Sequence, residues 1–248
     1  MKKNSIRIIN LIFASLFLVK ANAQENKQTA FSFHYNYQIP IGILTETYGN
    51  NSSIGAAYLL ERTNNIIFGI EANYIFGNNI KDQDIFNNIS TSTGAIINGN
   101  GQYGNVILMQ RGFDAYFFTG YALHVQENNL SGLYLSQGIG YLQHQIFIDT
   151  KNQNIPQLNE DMKAGYDRLT SGLSSKSSID YKYYHKKGRF QMGIGINYTV
   201  AYTKNQRTYN FANNQYYPQE NSWDKLFGIK VEIIIPINRR NNEEFHYF

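Results

Sequence analysis

Alternation of apolar and polar residues with a period of two is the feature that most restricts how this chain can fold. In the segment 31–38 every odd-numbered residue is aromatic and every even-numbered residue is polar, and the same period recurs at 66–76, 190–203 and 227–235. Successive side chains of a β-strand point to opposite faces. After residue 23 no apolar run reaches the roughly 18 residues of a membrane-spanning helix. The sequence therefore predicts an all-β fold.

The lengths of the predicted connections distinguish between two β architectures. We predict eight strands, at 30–39, 53–62, 66–76, 102–124, 132–149, 172–184, 189–203 and 225–237. Three connections between them are short and four are long, in regular alternation. Short turns at one end and long loops at the other are typical of outer-membrane barrels and are not expected of a soluble β-sandwich. We therefore predict a single antiparallel transmembrane β-barrel with long extracellular loops. A hairpin-turn signal at Asn98–Gly101 leaves a ten-stranded alternative open.

The first 23 residues have the three parts of a secretory signal peptide. These are a basic start (Lys2, Lys3 and Arg7), an apolar stretch at 8–19 that is too short to span a bilayer, and the cleavage motif Ala21-Asn22-Ala23. We expect cleavage before Gln24 and localisation in the cell outer membrane. The predicted organisation is a signal peptide at 1–23, a barrel at 24–237, and a segment 238–248 that is either a periplasmic tail or the end of the last strand.

Charge and cysteine content restrict the partners. The chain has 22 Lys and Arg against 18 Asp and Glu, but four of the basic residues lie in the predicted signal peptide, so the mature protein is balanced. This balance gives no support for nucleic-acid binding. The absence of cysteine excludes a disulfide framework. We expect outer-membrane lipid, lipopolysaccharide and other envelope proteins as partners.

Polar residues on the inward-facing positions predict a filled lumen. The predicted lumen network is His34, Glu71, Asn73, Lys182, Lys230 and Glu232. Eight strands leave an interior just wide enough for side chains to fill. Buried charges are costly unless they are paired, so we expect Glu71 and Glu232 to pair with Lys182, Lys230 or an inward arginine. We therefore expect a packed polar plug in the lumen rather than a conducting pore.

The third long loop contains the most distinctive polar segment, Tyr166-Asp167-Arg168. An arginine side chain presents a planar fork suited to a carboxylate or phosphate group, so these residues could contact a partner protein or a lipopolysaccharide headgroup. The alternative is that Asp167 and Arg168 fold the loop onto the barrel rim through local hydrogen bonds.

No catalytic, cofactor or metal site is predicted. His34 shares a strand face with Ser32, but no acid stands out nearby. His144 and Asp149 are an odd number of residues apart, so their side chains point to opposite faces of the predicted strand. The five histidines, at 34, 124, 144, 185 and 246, do not have the spacing of metal ligands. We expect a non-enzymatic scaffold, with a lipid-modifying enzyme or a small-solute pore as the alternatives.

The chain as a whole resembles a known class of protein. The features that carry the resemblance are the segment Phe31–Pro40 leading to Tyr48-Gly49, the Gly138-Ile139-Gly140 strand motif, Gly165–Gly172, and the ending Ile233–Pro236. They resemble the small outer-membrane barrel proteins of Bacteroidetes-type bacteria. Some of those proteins are accessory components of type IX secretion and gliding machinery, so the resemblance implies a role as an accessory subunit of an envelope complex.

Overall fold

The computed structural model describes residues 26–126, 129–185, 190–217 and 220–239. The predicted signal peptide and the segment 240–248 lie outside the described residues. Eight strands form the fold: β1 (Asn26–Ile41), β2 (Asn51–Arg62), β3 (Ile66–Gly77), β4 (Ile107–Gln126), β5 (Asn129–Asp149), β6 (Thr170–Tyr183), β7 (Gln191–Asn205) and β8 (Ser222–Arg239). Each strand pairs antiparallel with its neighbours in sequence, and β1 pairs with β8 to close a barrel.

The strand register fixes the geometry of the barrel. Following paired residues once around the barrel from Thr29 on β1 leads back to Ile39 on the same strand, a shear of ten residues. Eight strands with a shear of this size are strongly tilted and enclose an interior that side chains can fill. The predicted all-β, eight-stranded antiparallel barrel is confirmed.

The connections segregate by length. Four long loops lie at one end: L1 (42–50), L2 (78–106), L3 (150–169) and L4 (206–221). At the other end the strands follow one another closely along the chain, with three residues between β2 and β3, two between β4 and β5 and seven between β6 and β7. The long loops contain the one-turn helices α1 (Leu44–Thr47) and α2 (Glu160–Lys163), two 3₁₀ turns (Gln83–Phe86 and Pro156–Leu158) and a small hairpin of Tyr209–Asn210 with Gln215–Tyr216. In the described chain no helix is long and apolar enough to cross a membrane.

The ten-stranded alternative is wrong. The Asn98–Gly101 turn does form, with Gly101 N–H donating to the Asn98 carbonyl, but only a single bridge between Ile97 and Tyr103 flanks it. The chain around this turn belongs to L2 and contacts L3. As a result β4 begins at Ile107 and not at residue 102. β8 extends to Arg239, beyond the predicted end at residue 237.

The two faces of the barrel wall have opposite character. Outward side chains such as Phe33, Ile194 and Ile229 are 44–57% exposed, whereas Lys230 and Glu232 are buried. A soluble protein places its apolar residues inside and its charges outside. This barrel is inverted in that respect, as expected of a wall that faces lipid.

Candidate functional site: the lumen and the loop cap

The first charge cluster in the lumen is centred on Lys176 of β6. Its Nζ lies 2.7 Å from Glu71 Oε1 and 3.5 Å from Asp114 Oδ1. Asn73 donates hydrogen bonds from its Nδ2 to both carboxylates, and the Lys176 ammonium lies 4.5 Å from the centroid of the Tyr116 ring. Two buried acids therefore share one lysine, with an amide and an aromatic face completing its surroundings.

The partner of Glu71 differs from the sequence prediction. Glu71 pairs with Lys176, and neither Lys182 nor Lys230 lies within ion-pair distance of it in the described structure. Lys176 sits within a run of serines, Ser174 to Ser178, where alternation is absent. Lys176 is an even number of residues away from Asp180 and Lys182 on the same strand, so its side chain points to the same, inward face. This spacing is the sequence signal that places it inside the barrel.

The second charge cluster joins β6 to β8. Lys230 Nζ lies 2.8 Å from Asp180 Oδ1 and 4.0 Å from Glu232 Oε2, and Lys182 Nζ lies 3.2 Å from Glu232 Oε1. β7 runs between these strands and carries glycine at positions 193 and 195. A Cβ at position 193 would overlap the Glu232 carboxylate, and one at 195 would overlap that of Asp180. The glycines therefore make room for the two ion pairs.

All six predicted lumen residues lie inside the barrel, and His34 belongs to the first charge cluster. Its Nε2 is 2.5 Å from Asn73 Oδ1 and 3.9 Å from Glu71 Oε1. The two clusters also contain three charged residues outside the predicted network: Asp114, Lys176 and Asp180.

An apolar plug fills the lumen at the short-turn end. Its members are Ala30, Leu59, Ile67, Ala122, Leu130, Tyr134, Tyr184 and Ile234, with Phe118 packed against them. Glu61 is fully buried there, with Oε1 2.6 Å from His124 Nε2 and Oε2 accepting from the Tyr134 hydroxyl at 3.0 Å. The buried carboxylate is thus matched by a histidine and a phenol.

A second and larger apolar cluster covers the long-loop end. It combines inward strand residues with loop residues, namely Leu44, Tyr48, Ile75, Ile85, Phe86, Ile96, Leu142, Ile146, Ile148, Ile155, Leu158, Tyr166, Ala201 and Leu226. The four loops together therefore form a cap with its own hydrophobic core, which seals the barrel mouth.

Backbone hydrogen bonds tie the four loops of the cap to one another. Gly49 N–H donates to Asn79 O between L1 and L2, at 2.7 Å, and Gly99 N–H donates to Asn154 O between L2 and L3, at 2.8 Å. Phe211 N–H donates to Gly165 O between L4 and L3, at 3.0 Å. Because each loop uses backbone groups on another loop, the cap is one packed unit.

Tyr166, Asp167 and Arg168 hold the cap together. Asp167 accepts two hydrogen bonds from the Arg207 guanidinium, which raise the pKa of Arg207. Arg168 pairs with Asp82 of L2, and the Tyr166 hydroxyl meets the side-chain amide of Asn88. Tyr166 and Asp167 are buried, so a partner could reach only part of Arg168. A binding role for this segment stays a prediction.

Removal of the Arg207 side chain should loosen the cap without unfolding the barrel. Arg207→Ala leaves the buried Asp167 carboxylate without its guanidinium, and L3 should separate from L4. We expect several-fold faster cleavage of L3 and L4 by an added protease, with the barrel strands still protected. Lys163→Ala is the matched control, because the ion-pair partner of Lys163 in the described part of the chain is the exposed Glu160, within L3 itself. Equal cleavage of both variants would contradict the proposed clamp.

Three histidines are buried beside carboxylates, but none has the arrangement of a catalytic triad. His144 Nε2 lies 2.9 Å from Asp224 Oδ2, and the Thr203 hydroxyl donates to the same oxygen at 2.7 Å. The other ring nitrogen, Nδ1 of His144, is buried without a hydrogen-bond partner, so no nucleophile stands beside it. His34 bonds to Asn73 and not to Ser32. Within the described segments no group of three or more ligating side chains could hold a metal ion.

A small cavity lies between the two charge clusters. Its volume is about 30 Å³, and it lies among the side chains of both clusters, bounded by Tyr116, Tyr134 and Phe118. This is room for about one or two water molecules. In the described part of the chain, the apolar plug and the cap core close the lumen on either side of the charges.

A closed antiparallel barrel with an apolar outer wall and a charged, filled interior is a transmembrane β-barrel of the outer-membrane type. Among solved structures, it is similar to neisserial surface protein A (TM-score 0.45, 10% identity, 86% of this chain and 99% of that chain covered). It is also similar to Ail, the attachment invasion locus protein of Yersinia pestis (0.40, 7%, 85% and 100%), and to OprG of Pseudomonas aeruginosa (0.39, 8%, 87% and 98%).

No protein-family model and no curated protein sequence matches the chain.

Proposed function

We propose that this protein is an integral outer-membrane barrel that acts as a non-enzymatic scaffold or accessory subunit of an envelope complex. The observation that carries the proposal is the filling of the lumen. Neutralised charges occupy its centre, an apolar plug fills one end and a packed loop cap covers the other. A barrel filled in this way offers its outer wall, its cap and its short-turn end as functional surfaces.

A secretion complex is the first candidate for the assembly. The sequence resembles small barrels of Bacteroidetes-type bacteria, some of which are accessory components of type IX secretion and gliding machinery. A packed cap supports a binding role, because a partner would meet a preformed surface and would not have to order four loops.

Purification from native membranes tests the proposal. The full chain, tagged between the signal peptide and β1, should be extracted in mild detergent and analysed by size and by mass spectrometry. We expect the same few envelope proteins in fixed ratio with the barrel. An unrelated tagged barrel expressed at equal level is the control for nonspecific capture.

Two results would favour one of the alternative functions over the scaffold proposal. If the barrel purifies alone and deletion of its gene changes the mass of lipid A, a lipid-modifying enzyme is the better account. If it purifies alone and restores solute uptake to porin-deficient cells, a small-solute pore is the better account.

A further inference from the structure

Four polar side chains form a cluster on the outer wall of the barrel, on the face that meets lipid. They are Thr119 of β4, Gln137 of β5, and Ser175 and Ser177 of β6. Gln137 pairs in register with Thr119 on one side and with Ser177 on the other. We call these four residues the polar island.

The rest of the central outer wall is different. The outward residues at 31–39 of β1, 54–60 of β2, 66–76 of β3, 192–202 of β7 and 227–237 of β8 are apolar or tyrosine without exception. Hydrocarbon offers no hydrogen bonds, so amide and hydroxyl groups that face it are unfavourable unless another group satisfies them. The island is therefore a local departure from a wall that otherwise suits lipid.

The island lies inside the apolar band of the outer wall, at the level of the central charge cluster. Ser175 and Ser177 flank Lys176, whose side chain points inward to the central charge cluster. Apolar side chains stand on both sides of the island along each strand, such as Leu135 and Ile139 on β5. The polar groups are thus enclosed within the apolar band.

Hydrogen bonds within the island satisfy only part of its capacity. Gln137 Oε1 accepts from the Ser177 hydroxyl at 2.5 Å, and Gln137 Nε2 donates to Ser175 Oγ at 2.6 Å. The second contact of Nε2, to the Gly138 carbonyl, is 3.4 Å long. Among the described residues the Ser175 hydroxyl acts only as an acceptor. The Thr119 hydroxyl donates to the backbone carbonyl of Ile67 at 3.1 Å. The Ser175 hydroxyl is therefore the donor that the island leaves on the lipid-facing side.

The surface around the island has pronounced relief. Phe117, Ile139 and Leu173 are 77%, 68% and 72% exposed, among the highest values on the wall. They protrude because their neighbours are small, with Ser175 paired to Ile139 and Ala115 two residues from Phe117. When two protein surfaces meet, protruding side chains of one surface pack into the shallow regions of the other.

We propose that the polar island and its apolar rim form an interface, within the membrane, between two copies of this chain. A two-fold interface brings one patch against itself, so the patch must be self-complementary. Amides and hydroxyls both donate and accept hydrogen bonds, whereas a patch of like charges would repel its copy. The protruding side chains of Phe117, Ile139 and Leu173 in one copy would pack over the serines of the other. This inference holds whichever envelope proteins the barrel binds.

The absence of cysteine allows a direct test. Single-cysteine chains, Ile139→Cys at the island and Val231→Cys on β8, three strands away around the barrel, are reconstituted in phospholipid bilayers at falling protein-to-lipid ratio and treated with a short thiol cross-linker. We expect cross-linked dimers of Ile139→Cys that persist on dilution, and none of Val231→Cys. Equal cross-linking at both sites, or none at either, would overturn the proposal.

A second variant tests the polar groups themselves. Gln137→Leu should weaken dimerisation about tenfold, a size typical of hydrogen bonds between membrane segments, and its thermal unfolding should show that it still folds. Tyr35→Phe is the matched control, since it removes an outward hydroxyl bonded to Ser52 on another face. Unchanged dimerisation of Gln137→Leu would contradict the inference, as would a different protein cross-linked to Ile139→Cys in native membranes. Loss of the dimer with envelope partners retained would leave the proposed function intact.

Discussion

Replacement of Lys176 by methionine is expected to destabilise the barrel by about 3–5 kcal/mol, the usual cost of removing one partner from a buried ion pair. Lys176 is the cation within 4 Å of both Glu71 and Asp114. Among the described residues, the hydrogen-bond and ion-pair partners left to the two buried carboxylates would be Asn73 and His34. Chemical unfolding of the protein in lipid vesicles measures the change in the free energy of unfolding.

Two further variants separate charge from packing. The triple variant Lys176→Met, Glu71→Gln, Asp114→Asn removes both stranded charges and should recover most of the lost stability. Lys230→Met should cost less, because Glu232 keeps its contact with Lys182 and Asp180 alone loses its partner. A triple variant no more stable than Lys176→Met would show that the ion pairs are not what Lys176 contributes.

Arginine on the lipid-facing wall is the second change with a large expected effect. Ile194, Ile196, Ile229 and Val231 are 44–57% exposed on adjacent strands, between the inward charges of the second cluster. Arginine at any of these positions should cost about 2–4 kcal/mol in a bilayer, because its charge would lie near the midplane.

The same substitution near a strand end provides the control for depth. Ile237 lies two residues from the described end of β8 and is also outward, so Ile237→Arg should cost about 0–1 kcal/mol. Equal tolerance of arginine at all five positions would indicate that the wall faces water.

The strands could be predicted from the sequence because a period of two is a local property. Phe31 to Gln38 alternates without exception, and its strand was located to within a few residues. The start of β4 was misplaced because residues 102–106 carry no signal that separates a strand from a loop packed on a cap. The pairing of Glu71 with Lys176 joins β3 to β6 across the lumen, which no local pattern can encode.

The cap was missed for a similar reason. Its core uses isolated apolar residues of the long loops, such as Ile85, Ile96 and Ile155, which have no periodicity and resemble ordinary loop residues in sequence. Only the tertiary contacts between L1, L2, L3 and L4 make them a core. The segment Tyr166–Arg168 was recognised as distinctive, but its main contacts lie in L2 and L4, which are distant in sequence.

Electrical recording in planar bilayers tests the central claim most directly, namely that this is a membrane-spanning barrel with a filled lumen. The purified full-length protein should insert without steady conductance, because the charge clusters occupy the centre of the lumen and the apolar plug and the cap core close it on either side. Protease protection of the strands in the same membranes would verify insertion. Reproducible single-channel steps from the inserted wild-type protein would contradict the account and make transport the leading function.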